Sequence, residues 1–148
     1  KVAIVEEAAR YFFAKKKVRD PFSYINQRTV QSLAKRFEQK AHKANPDIIL
    51  CARSVLDAVA YVRATGINHE WKRLLAKTKN WLKTYDHFFL LDPEGVNYKT
   101  DRIRKEEEKV RALFHTSFVK LLSELQLPHT LIKGDKKERI EKMLDIIL

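Results

Sequence analysis

Three residues that could do chemistry follow one apolar run. After Ile48-Ile49-Leu50-Cys51 come Ala52, Arg53, Ser54 and, one helical turn on, Asp57. A cation, a hydroxyl and a carboxylate beyond the carboxyl end of a strand sit where α/β proteins bind ligands. A second apolar run, Val2 to Val5, is followed by Glu7 and Arg10. A third set lies in the polar stretch 94–104, which has no clear period and holds Lys99, Asp101, Arg102 and Arg104; a lid or binding loop is expected there. Cations around an acid suit phosphoryl transfer, in which arginines surround the moving phosphoryl group and an acid holds Mg²⁺. Bland pairings compete with this reading. Arg10 and Asp57 would serve equally as a structural ion pair, and Arg104 and Arg111 as partners of Glu107 and Glu108 on a helix surface.

Other chemistries find less support. The histidines, His42, His69, His87, His115 and His129, have no partner histidine three or four residues away, and Cys51 is the single cysteine. No zinc spacing results, although magnesium carried by a nucleotide stays open. Ser54 lacks the flanking glycines of a nucleophile elbow. The only glycines are Gly66, Gly95 and Gly134, so these residues contain no glycine-rich phosphate loop.

The elements that must position these residues follow from periodicity. Val2–Val5 is read as a buried strand and Glu7 to about Lys16 as a helix. Asp20-Pro21 ends a basic loop. Ser23 caps a helix running to about Ala44, with Ile25, Val30, Leu33, Phe37 and Ala41 as its apolar stripe and Arg28, Lys35, Arg36, Lys40 and Lys43 on the other face. Asn45-Pro46-Asp47 is a turn. The run 48–51 is a strand, 55–65 a helix with Gly66 as a left-handed stop, and 70–83 a further helix. His87–Leu91 is a strand, 105–125 a helix carrying Leu113, Phe114, Leu121 and Leu122, 130–133 a strand and 136–148 the last helix. Alternation of this kind predicts one α/β domain over residues 1–148, three-layered, with a mostly parallel sheet and helices on both faces.

Composition bounds the partners. The chain has 148 residues, 45% of them apolar, and a formal charge of +11. Residues 1–44 hold 11 Lys/Arg against 4 Asp/Glu, a balance of +7; 45–98 balance at +1 and 99–148 at +3. A positive field of this size attracts nucleotides, nucleic acid or anionic membranes. The aromatics Tyr11, Phe12 and Phe13 abut the basic loop 15–19, a mixture that stacking on bases would use. No apolar run approaches the ~20 residues of a membrane span. No signal peptide is visible, and the lone cysteine points to a reducing cytoplasm.

Four pieces, in order, resemble the small AAA-type P-loop ATPase and kinase domains that include the kinase domain of ribosylnicotinamide kinase. Glu7-Ala8-Ala9-Arg10 resembles the E-x-x-R after their second strand, and Ile48 to Tyr61 a strand followed by D-R-x-x-x-D-x-x-A-Y. His87 to Pro93 resembles their fourth strand, and Thr100 to Arg104, with Arg111, their D-G-x-R lid, Arg102 standing where glycine is frequent. The resemblance implies ATP and Mg²⁺ as cofactors and a small-molecule, nucleoside-like or nucleic-acid phosphate acceptor. It places Arg102, Arg104 and Asp57 in catalysis and Glu7, Arg10, Arg53 and Ser54 at the acceptor, with no residue assigned to the metal. Two departures accompany it. The family's first strand, phosphate loop and following helix have no counterpart here, so about 30 further residues are expected upstream, the length of such a unit. Ala52 stands where the family has a metal-side acid, which implies altered or lost chemistry unless Asp57 or Glu7 takes over that role. A non-catalytic polyanion-binding or regulatory module on a degenerate NTPase fold is the competing expectation.

Overall fold

The computed structural model describes residues 1–66, 69–94 and 108–148. It forms two compact units, Lys1–Lys83 and Thr84–Leu148. Among the described residues all strand pairing is parallel, as expected for an α/β chain in which helices separate the strands.

In the first unit β1 (Val2–Val5) pairs with β2 (Ile48–Cys51), with Val2 opposite Ile48 and Val5 opposite Cys51. Between them run α1 (Ala8–Lys15) and α2 (Tyr24–Lys43), and after them α3 (Leu56–Thr65) and α4 (Trp71–Leu82). Ser23 caps α2 as its sequence position predicts, its side chain accepting from the Asn26 amide. Asn45 takes a positive φ of 47° in the turn before β2, a conformation asparagine tolerates better than most residues. Gly66 does not stop α3 in the left-handed form: its φ is −80° and its ψ 146°. Glycine is needed there for close approach, because a Cβ would collide with the Val62 carbonyl oxygen.

The core of this unit is built from α3 and α4, where Val55, Leu56, Val59, Ala60, Val62 and Leu74 are almost wholly inaccessible. The buried stripe of α2 differs from the expected one. Val30 and Leu33 are buried, but Ile25 is 69% exposed, and Gln27, Gln31 and Glu38 take inward positions. Partners from distant segments allow Gln31 and Glu38 inside. Gln31 Nε2 donates to the Val55 carbonyl at 3.1 Å, and Trp81 Nε1 donates to Glu38 Oε2 at 2.8 Å. β1 is half-buried rather than buried. Val5 is enclosed while Val2 and Ile4 are exposed, the period-two alternation of a sheet covered on one side.

In the second unit β3 (Phe88–Leu91) pairs with β4 (His129–Ile132), and α5 (Glu108–Glu124) and α6 (Lys136–Ile147) complete it. Phe114, Leu121 and Leu122 of α5 are buried, but Leu113 is 55% exposed and lies off the core stripe. Gly134 has a φ of +104°, which glycine alone adopts readily. It turns the chain into α6, where Asp135 and Glu138 cap each other's backbone amides.

Leu74→Ala should lower the unfolding free energy by about 2–5 kcal/mol, the cost of a cavity at a fully buried leucine. Ile25→Ala should change it by less than about 0.5 kcal/mol, as at an exposed surface site. Urea unfolding of both variants checks this. A large loss at Ile25 would restore it to the core.

Candidate functional site

Parallel pairing brings the ends of β1 and β2 to the same place. The Ala52 amide donates to the Val5 carbonyl at 3.0 Å, one step past the last strand pair, and the two chains then part. One enters α1 through Glu6 and Glu7; the other turns through Arg53 and Ser54 into α3. Arg53 therefore meets Glu7 although 46 positions separate them in sequence. Its Nε lies 3.9 Å from Glu7 Oε1, and its Nη1 lies 3.3 Å from Asp57 Oδ2. Arg10 Nε approaches the other Glu7 oxygen at 3.9 Å.

Ser54 and Asp57 close the turn between them. Asp57 Oδ1 accepts from the Ser54 amide at 3.0 Å and from its hydroxyl at 3.1 Å, and Ser54 Oγ accepts from the Leu56 amide at 3.2 Å. This is the reciprocal logic of a helix cap. It leaves the Ser54 hydroxyl proton committed to Asp57 rather than to a reaction. Ala8 and Ala9 of α1, Val30 and Ala34 of α2, and Tyr61 of α3 wall the cleft over this cluster. Its enclosed space is about 20 Å³, room for one water molecule.

Two opposing effects act on Asp57. Burial pushes its pKa above the ordinary carboxylate value, while Arg53 and the Ser54 amide and hydroxyl pull it down; burial wins. The Arg53 guanidinium is held above its usual value by the Tyr61 phenol oxygen first, then by Asp57 and Glu7. It is a fixed cation at any working pH. Burial, with Glu38 adding, pushes the Cys51 thiol up to about 12, so Cys51 stays protonated and unreactive near neutrality.

Of the residues singled out from sequence, Glu7, Arg10, Arg53, Ser54 and Asp57 converge. Arg102, Arg104 and the candidate lid beyond Glu94 lie outside the described residues. The pairing of Arg10 with Asp57 gives way to two separate pairs, Arg10 with Glu7 and Arg53 with Asp57. Tyr61 joins the site unforeseen. Its spacing of four from Asp57 was the available signal, since such positions share one helix face. In the second unit, Asp92 beyond β3 gathers cations of its own. Lys133 Nζ stands 3.8 Å from its carboxylate, and Arg139 Nη2 donates to its carbonyl at 2.8 Å.

Ala52 offers no side-chain oxygen at the end of β2, and among the described residues no three His, Cys, Asp or Glu side chains stand together as metal ligands. The described residues include no glycine-rich phosphate loop. No described helix is long and apolar enough to cross a membrane.

A model of the AAA domain family matches residues 1–139. The chain belongs to that family and is an AAA-type, P-loop NTPase-like domain of the nucleotide-binding, ATPase-like class. No curated protein and no solved structure matches it.

A raised folded-state pKa gives Asp57 a definite sign in stability. Its protonated form favours the fold below the unfolded value of about 3.9, and that advantage is lost as pH rises through the folded value. The unfolding free energy of the parent, relative to Asp57→Asn, should therefore fall from acid to neutral pH. Parallel urea titrations across that range check it. A rising difference would mean that Arg53 outweighs burial.

Proposed function

We propose that the domain transfers a phosphoryl group from ATP to a small, nucleoside-like acceptor that docks outside the common end of β1 and β2, beyond the one-water space enclosed there. One observation carries this reading: Arg53 is fixed between Glu7 and Asp57 beyond the carboxyl ends of two parallel strands. Membership of the AAA domain family supports the nucleotide half of it. In this reading Arg53 presents its remaining N–H donors to the acceptor, and Glu7 accepts from an acceptor hydroxyl. Asp57 orients Arg53. By the family resemblance, Arg102 and Arg104 would supply positive charge to the phosphates. Magnesium would neutralise phosphate charge in such chemistry, and no described residue is assigned to it.

Isothermal titration of the intact protein with ATP and magnesium tests the reading. Saturable heat is expected, and its absence would overturn the proposal. Phosphorus NMR of the products then separates transfer to an added nucleoside from release of inorganic phosphate.

Two substitutions test the roles. Arg53→Ala removes charge-assisted hydrogen bonds worth about 1.5–3 kcal/mol. It should raise the acceptor KM by about 10- to 100-fold with ATP affinity unchanged. Ala52→Asp places an acid at the metal-side strand end and should raise turnover. Unchanged turnover would remove that role from position 52.

A further inference from the structure

The proposed chemistry uses only a few of the positive charges on this chain. Residues 1–83 hold 18 Lys/Arg against 7 Asp/Glu, whereas residues 84–148 hold 12 of each. The whole excess of +11 therefore belongs to the first compact unit. Acids of that unit are themselves engaged by neighbouring groups: Glu7 and Asp57 by Arg53, and Glu38 by the Trp81 indole.

The charge is concentrated on one face of α2. At 100° per residue, Lys35, Arg28, Lys43, Arg36 and Lys40 fall within an arc of about 140°. Thr29, Ser32 and Gln39 are the uncharged polar residues between them. All are exposed except Lys35, which is half-buried. The helix contains one acid, Glu38, and it is buried at 3% exposure, so the arc presents no negative group over a helix of about 30 Å.

Neighbouring helices extend the arc on both sides. Toward α1, the Tyr11 ring packs edge-on against Phe37 at 5.5 Å. Lys15 Nζ lies 4.0 Å above that ring and donates to its hydroxyl at 2.5 Å. The Tyr11 phenol is held below its usual pKa by the Lys15 hydrogen bond and charge, with the Arg36 charge adding to them. Toward α4, Lys35 Nζ donates to the Lys77 carbonyl at 2.9 Å. Burial first, and then the Lys77 charge, hold the Lys35 pKa below its ordinary value. One acid-free basic band thus runs from α1 across α2 to α4.

We propose that this band binds the phosphate backbone of nucleic acid without reading its sequence. Sequence-independent binding needs a row of cations that can displace condensed counterions, not a shaped pocket. Nucleic acid fits better than a membrane surface, because a helix that lies on lipid needs an apolar face beside its basic one. Ile25 is the only apolar residue on this arc. The half-exposed Tyr11 ring adds a surface on which a base can stack.

The test is fluorescence anisotropy of the intact protein with labelled single strands and duplexes of about 20 nucleotides, from about 50 to 300 mM salt. Five phosphate contacts predict a slope of log K against log salt near −3.5 for single strands or −4.5 for duplex. The triple variant Arg28→Gln, Arg36→Gln, Lys43→Gln should weaken binding at least tenfold and reduce the slope by about 2 to 3. The charge-preserving triple Arg28→Lys, Arg36→Lys, Lys43→Arg should bind like the parent, as should Lys136→Gln, Lys137→Gln in the second unit. The proposal is overturned by absent binding, by a flat salt response, or by an unaffected neutral triple. Tighter binding to phosphatidylserine vesicles than to either nucleic acid would assign the band to membranes instead. ATP titration is independent of all these outcomes, so failure here leaves the phosphoryl-transfer reading to its own test.

Discussion

Everything at the candidate site depends on the parallel pairing of two four-residue strands. Because β1 and β2 run the same way and end in register at Val5 and Cys51, the residues that leave them emerge side by side. An antiparallel pair would have sent Glu7 and Arg53 to opposite ends of the sheet. Parallel strands also require a long crossover, and here α1 and α2 supply it. The same α2 that makes the crossover contributes Val30 and Ala34 to the wall of the cleft, so connection and site share one element.

At the end of that pair, burial and charge pull in opposite directions, and the balance defines the chemistry available. Asp57 is held by three donors yet remains harder to ionise than a free carboxylate, because its desolvation outweighs their attraction. Arg53 is a permanent cation with acids on either side. Ser54 is occupied by its cap. The cluster is therefore a rigid fixture with one positive centre, suited to holding a polar ligand in one orientation. It is poorly suited to supplying a nucleophile, and Cys51, with its thiol pushed up to about 12, does not change that.

Polar residues inside α2 show how tertiary partners override pattern. Ile25 looks like a core residue and Glu38 like a surface one. Trp81 offers a donor to Glu38, and the Val55 carbonyl accepts from Gln31, so the helix rotates its polar stripe inward and its cations outward. A buried carboxylate without such a donor would carry the full cost of its desolvation. The rotation also leaves the outer face of α2 uniformly basic, which couples the core of the first unit to the character of its surface.

The amino-acid sequence by itself determined the order and type of the elements, because apolar periodicity, Ser23, Asn45-Pro46 and Gly134-Asp135 act locally. It also determined that Glu7, Arg10, Arg53, Ser54 and Asp57 follow strand ends, and that positive charge gathers early in the chain. Tertiary structure decided which carboxylate meets which guanidinium, that Ser54 is a cap, that Tyr61 and Ala34 line the cleft, and that Gly66 is required by space rather than by a left-handed turn. The Glu7–Arg53 pair and the wall of the cleft rest on contacts between residues tens of positions apart. Their energies depend on burial and on distances of 3 to 4 Å, and neither quantity exists until the strands have paired.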